Sequence, residues 1–555
     1  MLLAAMLFSL AACGSEKSAA NEEQTYESSA GKDITAAAGV DEVISLNCNR
    51  RYSFNPLIAT SHSNQLICAL VYENMIELDN SFNVIPNLIY DWDYSEDGKS
   101  WVLYVDETHT FHDGTFVTAK DLRYSLERAI NSDRFLGRFS SVQGVSWDVG
   151  KLYVTLGIGD TDFVKLLNIP IIQNGTYGDD YPMGSGPYMF NEDATAIVKY
   201  DGYVGPTKMT AESDDEETED DAEATPQPDE PITFPVDIIY IVEYSDAESL
   251  IDAFEDGYVD IVLNDPSSYS NLGYASTNDF HAYATTNLHY IACNESGRLT
   301  QFSNFRYALN YAFDRDYLVD MLNGDAVAAS VPMYPTCSLY PTSFAKSLDY
   351  DLELCLRVLE NAGIKDFDQD GRLEMNGSAE DLELNFILCS DSSAKSGIAN
   401  RFASDMDSIG IKVNVYALTW DEYCTALEEG EFEVSKGNME PFDLYYAEVK
   451  LRNNFDMTEI LGVRTKDNER TNINYTGSKD ANYESMMNAY LGAGKLEKEA
   501  KYLEFCNYLA QNATIIPIGF EKQQVITRRS VMKGVNPNMG NPLYDFNNWT
   551  IIMGE

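Results

Sequence analysis

The feature that most constrains the fold is an alternation of apolar, strand-length runs with helix-length amphipathic segments. Val236-Asp-Ile-Ile-Tyr-Ile-Val242 has the length and β-branched content of a buried strand. Asp246 to Phe254 follows with helical spacing, and Val259-Asp-Ile-Val262 supplies the next strand. The order recurs: Leu382–Leu388 as strand, Ala394–Ile409 as helix, Ile411–Val415 as strand, Trp420–Glu429 as helix and Phe442–Tyr446 as strand. Strand–helix–strand order at this spacing predicts α/β units, and two such stretches predict two lobes. Nearer the start, Trp101–Val105 reads as a strand, Asp113-Gly114 as a turn and Thr118–Ala129 as a helix. Thr118 is placed to cap that helix with Asp121 completing a capping box, and Leu122, Ser125, Leu126 and Ala129 share one face.

Composition narrows the function. Of 555 residues 44% are hydrophobic and 12% aromatic, enough for a large core. Acidic residues number 89 against 38 Lys and Arg, a net charge of −51. Nucleic acid and anionic lipid both demand a basic footprint, so neither is an expected partner. Residues 209–231 hold 11 carboxylates and no Lys or Arg. Such a block repels itself and is expected to be a disordered, solvated insertion, with a low-affinity calcium sponge as the functional alternative.

Met1–Leu10 is an uncharged apolar run, too short to span a bilayer but suited to the h-region of a signal peptide. Leu10-Ala11-Ala12-Cys13 resembles a bacterial lipobox, which implies lipidation of Cys13 after removal of residues 1–12, although the usual Lys/Arg n-region is missing. A buried N-terminal helix is the competing reading. Residues 13–42, rich in Ser, Ala, Glu and Gly, then read as a flexible tether. No later run reaches 18 apolar residues.

Catalytic and metal motifs are mostly lacking. The eight other cysteines, Cys48, Cys68, Cys293, Cys337, Cys355, Cys389, Cys424 and Cys506, form no Cys-x-x-Cys and mostly sit in apolar surroundings, as buried small hydrophobes do. His109 and His112 lie in a strand-and-turn context that sends them to opposite sides. No nucleophile elbow, P-loop or dinucleotide fingerprint is present, so no enzyme and no cofactor are expected. One acidic loop, Asp366-Phe-Asp368-Gln-Asp370-Gly371-Arg-Leu-Glu374, has the opening of a calcium loop, but its twelfth position is Gly377 rather than Glu. A polar turn is the simpler reading, with Asp366, Asp368 and Asp370 as weak calcium candidates.

A series of short motifs now falls into order. Phe54-Asn55-Pro56, Val71-Tyr72-Glu73-Asn74-Met75-Ile76, Pro86-Asn87-Leu88, Ser95-Glu96-Asp97-Gly98 and Phe111-His112-Asp113-Gly114 come first. Thr118-Ala119-Lys120-Asp121-Leu122, Gly184-Ser185-Gly186-Pro187-Tyr188, Ala253–Ile261, Phe305–Arg315 and Ile409-Gly410-Ile411 follow. In this order and spacing the chain, over about residues 43–549, resembles the family 5 extracellular solute-binding proteins, the oligopeptide, dipeptide and nickel receptors of bacterial ABC importers. The resemblance implies an α/β, two-lobed periplasmic-binding-protein-like fold of the large cluster, with an extra subdomain in lobe 1 and a hinge that closes on a ligand. With crossings near Leu288–Cys293 and Ile515–Phe520, lobe 1 is expected at 43–288 plus 519–555, and lobe 2 at 289–518. It further implies a monomer tethered by lipid to the outer face of the cell membrane, partnered by an ABC permease and ATPase, and carrying peptides. A non-peptide solute such as a metal chelate or oligosaccharide, or a sensor that has lost transport, are the alternatives.

Peptide-binding members hold a free α-amine with an Asp in a Gly-Trp-x-x-Asp-x-x-Asp-Pro loop. Here the corresponding stretch is Tyr446-Ala-Glu-Val-Lys-Leu-Arg-Asn-Asn-Phe-Asp-Met457. Asp456 aligns with the second Asp, while the first falls on Asn453 or Arg452. A desolvated ammonium needs an anion, so Glu448 or Asp456 inherits the role; Lys450 and Arg452 suit a carboxylate instead. On the lobe 1 side, Tyr52 and Asn55 in the first loop and Ser185 in a Gly-rich turn are the remaining ligand candidates.

Overall fold

The computed structural model describes residues 44–205, 232–244, 246–264, 277–322 and 324–552. The Cys13 lipobox, the tether and the acidic insertion 209–231 lie outside the described residues.

One mixed eleven-stranded sheet runs through the molecule. Its strands, in chain order, are β1 (Ile44–Cys48), β2 (Tyr188–Phe190), β3 (Ala196–Lys199), β4 (Ile238–Glu243), β5 (Ile261–Leu263), β6 (Asn278–Cys293), β7 (Ala326–Ala328), β8 (Glu383–Cys389), β9 (Lys412–Leu418), β10 (Leu444–Lys450) and β11 (Ile515–Arg528). The spatial order is β9-β8-β10-β6-β11-β5-β1-β4-β3-β2, with β7 attached to β11. β1 is parallel to β4 and β5, and β8 is parallel to β9 and β10. Parallel strands need a crossover: the helix Ala247–Glu255 carries the chain from β4 to β5, which flank β1, and the helix Ser393–Ser408 carries it from β8 to its neighbour β9. The sequence alternation thus maps onto two separate βαβ units, one in each half of the sheet.

β6 and β11 join the halves. They pair antiparallel from Asn278↔Arg528 to Ala292↔Ile515, with the register broken between Ala284 and Leu288 and again between His289 and Tyr290. At one end β11 pairs with β5, and at the other β6 pairs with β10.

One core lies within the β8–β10 half, and a larger one gathers around β1 and continues into that half through Tyr445, Tyr490 and Phe505. Around β8 and β10, Phe313 stacks on Phe402 at 4.1 Å and Phe386 meets Phe402 edge-on. Around β1, helices His62–Val71 and Ala119–Ile130 bury their apolar stripes. The second helix carries the expected capping box, and Leu122, Ser125, Leu126 and Ala129 are all buried. A separate four-stranded antiparallel sheet (Ile89–Tyr94, Ser100–Val105, Lys151–Leu156, Val142–Asp148, in spatial order) builds the additional subdomain. All eight described cysteines are free, and seven are buried. His109 and His112 do diverge: His109 Nδ1 meets Glu73 at 3.0 Å, and His112 Nε2 meets the Gly186 carbonyl at 3.0 Å. No described helix is long and apolar enough to cross a membrane.

Candidate functional site

β10 presents Glu448 directly opposite His289 of β6. His289 is buried; its Nδ1 lies 2.9 Å from the Tyr446 hydroxyl and 3.6 Å from Glu448 Oε1. Its Nε2 lies 3.8 Å from Glu521 Oε2 on β11. Lys395 Nζ comes within 3.1 Å of Glu448 Oε1 and donates to Asp391 at 2.9 Å. Burial opposes the charge on Lys395 and on His289, yet the facing carboxylates outweigh it, and both pKa values stand above their ordinary values. Beside this network lies a cavity of about 40 Å³ lined by Lys395, Trp420, Tyr423, Tyr446, Glu448 and Tyr475. Lys395 follows the C-terminal end of β8, where open α/β sheets place their ligands.

The other half of the sheet reaches the same place through His62, the first residue of helix His62–Val71. Burial lowers the His62 pKa and the Lys450 ammonium lowers it further, while Glu521 pulls the other way. The Lys450 ammonium of β10 therefore acts on a side chain from the opposite half.

After Lys450 the chain leaves the sheet and runs against residues 160–165. Asn453 Nδ2 donates to the Lys165 carbonyl at 3.0 Å, and Asn454 Nδ2 to Asp160 Oδ2 at 2.8 Å. Phe455 turns the loop at φ 58°. Its ring packs 4.9 Å from Phe82 and 6.1 Å from Phe520, and Tyr334 closes the cluster against both. The loop is thus held between the two halves.

Its charges are spent internally. Arg452 Nη1 donates to Asp456 Oδ2 at 2.6 Å and Nη2 to Glu459 Oε1 at 2.7 Å. The other oxygen of Asp456 accepts from Thr458 N and Oγ1. Both carboxylate oxygens of Asp456 are occupied by its own loop, which runs against its expected role as a free anion for a ligand amine. Arg452 is likewise committed. Glu448 lines the cavity, and Lys450 is exposed at the strand end.

The lobe 1 candidates are scattered. Tyr52 is 44% exposed. Asn55 is buried and staples the chain, donating to the Tyr177 carbonyl at 2.8 Å and accepting from Leu57 N at 3.0 Å. Ser185 is buried with no partner for its hydroxyl. The flanking glycines serve packing: a Cβ on Gly186 would stand 2.5 Å from the Leu70 carbonyl oxygen at the end of helix His62–Val71. Sequence reasoning missed His62, His289, Lys395 and Glu521. Lys395 carried a readable signal, its place after a parallel strand. The His289–Glu448 pairing depends on sheet register and had none.

Two halves joined by paired strands, with charged and aromatic groups gathered where they meet, define the class of hinged solute receptors. Residues 83–443 match the family model "Bacterial extracellular solute-binding proteins, family 5 Middle", and the chain belongs to that family. It is 24% identical over 435 residues, covering 74% of each chain, to the oligopeptide-binding protein AppA of Bacillus subtilis. It is 22% identical over 572 aligned positions, covering 93% of each chain, to heme-binding protein A of Haemophilus influenzae. The structure of NikA from Brucella suis in complex with Fe(III)-EDTA superposes with a TM-score of 0.67 at 16% identity, covering 92% of this chain and 100% of the other. The protein is a substrate-binding component of an ABC transporter, not an enzyme.

Proposed function

We propose that the protein captures short peptides between its two halves and hands them to an ABC permease, anchored to the outer cell surface through a lipid on Cys13. The carrying observation is Glu448: a buried carboxylate on the wall of an aromatic cavity, beside the loop that meets the opposite half. Tyr and Trp walls offer flat apolar contact to varied side chains, and a carboxylate among them suits a desolvated ammonium. The likeness to an oligopeptide-binding protein supports the same reading. The paired strands β6 and β11 support lobe limits of 43–288 plus 519–555 and 289–518.

Calorimetry with free-amine and N-acetylated peptides tests the recognition. Glu448→Gln is expected to weaken free-amine peptides at least about tenfold, ~1.4 kcal/mol, while acetylated peptides bind poorly to wild type. Equal binding of both kinds, untouched by Glu448→Gln, would sink the amine reading. One observation favours a second ligand class: His289, Glu448 and Glu521 each bring a ligand atom within 4.8 Å of the others, a donor set for a chelated metal. Native mass spectrometry of the purified protein separates the two by the mass and metal content of whatever it carries.

A further inference from the structure

The acidic turn read from sequence as a weak calcium candidate gains a fourth carboxylate, Glu374, from the hairpin that closes it. Residues Ile364–Lys365 and Glu374–Met375 pair as a two-stranded antiparallel hairpin, and the turn between them carries Asp366, Asp368 and Asp370. Glu374 stands at the ninth position from Asp366, not the twelfth, and the hairpin folds it back beneath the three aspartates. One oxygen from each of Asp366, Asp368, Asp370 and Glu374 lies within 4.8 Å of every other. Calcium–oxygen distances of about 2.3–2.6 Å put any two ligands of one ion at most roughly 5 Å apart. The four oxygens therefore fit around a common centre.

An independent observation says that something belongs there. Glu374 is only 2% exposed, its Oε2 accepts from Phe367 N at 2.8 Å, and its buried Oε1 has no partner. A buried carboxylate oxygen without a donor costs free energy. The neighbouring cations are engaged elsewhere: Arg372 donates to Asp407 at 2.6 Å, and Lys365 lies 5.0 Å above the Phe367 ring.

We propose that Asp366, Asp368, Asp370 and Glu374 bind one calcium ion, whose charge satisfies Glu374 and fixes the hairpin. Hard carboxylate oxygens with no His or Cys select against transition metals. Four carboxylates on a short turn suit the flexible coordination of calcium better than the strict octahedron of magnesium. Water and main-chain oxygens complete the shell.

Equilibrium dialysis of the full chain with calcium in 0.15 M NaCl should find one saturable site with Kd on the order of 10⁻⁴ M, the range of extracellular calcium modules. Asp368→Asn combined with Asp370→Asn changes two exposed positions that no core depends on. That variant and Glu374→Gln should each weaken binding at least tenfold. A chain lacking 209–231 should bind as wild type does, which separates the turn from the acidic insertion. Calcium should raise the melting midpoint of wild type and of the deletion, and magnesium at the same concentration should not. Absence of a saturable site, unchanged affinity in the double Asn variant, loss of binding on deletion of 209–231, or an equal response to magnesium would overturn the proposal.

Discussion

The turn at 366–374 and the loop at 452–459 each gather carboxylates within nine residues, and they manage the charge in opposite ways. In 452–459 a single guanidinium forks between Asp456 and Glu459, and Thr458 takes the remaining oxygen. Each carboxylate of this loop has the guanidinium as its partner, and the loop serves as a contact between the halves. In 366–374 the one arginine of the turn points to Asp407; the aspartates accept from main-chain N–H groups, Gln369 and Gly371 on Asp366, Asp370 on Asp368 and Arg372 on Asp370, and four carboxylates lie close together without a cation among them. Carboxylates that carry their own counter-ion build structure, and carboxylates that do not are available to a ligand. Glu448 stands between these cases, its charge shared with Lys395 and His289 in a network a solute can enter.

The sharpest break of the comparison removes the fork. Arg452→Met strands Asp456 and Glu459, both mostly buried, and should cost about 4 kcal/mol in urea unfolding. A loss below about 1 kcal/mol would show that the loop does not depend on its cation. A second probe uses Glu77, a buried carboxylate served only by the amides of Asn74 and Asn541 at 3.0 and 3.1 Å. Burial raises its pKa from 4.5 to about 7. The folded state holds the proton longer than the unfolded one, so the contribution is full below about pH 4.5 and is lost as pH rises through 7. Stability should fall by roughly 3 kcal/mol across that window from this group alone, and Glu77→Gln should flatten that part of the profile. Smaller still is the effect of Glu448→Gln on free-amine peptides, about tenfold or ~1.4 kcal/mol. Smallest, Asp368→Asn with Asp370→Asn in metal-free buffer should change unfolding free energy by no more than about 0.5 kcal/mol. A large loss there would make those aspartates structural, as Asp456 is.

Much of the fold was legible because its signals are local. The helix expected at Trp420–Glu429 has those bounds, and that expected at Ala394–Ile409 spans Ser393–Ser408. Apolar runs became β4, β8 and β10 with ends shifted by a few residues. The two longest strands were not read as strands. β6 mixes Asn278, Asp279, His281 and Thr285 into its first half, and β11 carries Glu521, Lys522, Gln523 and Gln524 at its middle. Their pairing with each other supplies what their composition lacks. The site was less legible for the same reason. Asp456 looked available until the hairpin-like return of its loop brought Arg452 onto it, a contact set by backbone conformation at Phe455 rather than by residue type. His289 meets Glu448 only through register. Glu374 closed the acidic stretch as read, but its closeness to the three aspartates depends on the hairpin that returns it to the turn.

The bonding of β6 to β11 has a mechanical consequence. Two ribbons laced edge to edge resist sliding, because sliding breaks every rung at once, but they twist and bend about their common length at little cost. The lacing is interrupted between Ala284 and Leu288 and again between His289 and Tyr290, so compliance is concentrated over that stretch as in a scored strap. A swing of the halves, like the covers of a book on its spine, breaks fewer rungs than a shear past each other, and it displaces least the groups nearest the spine, His289 and Glu521 among them.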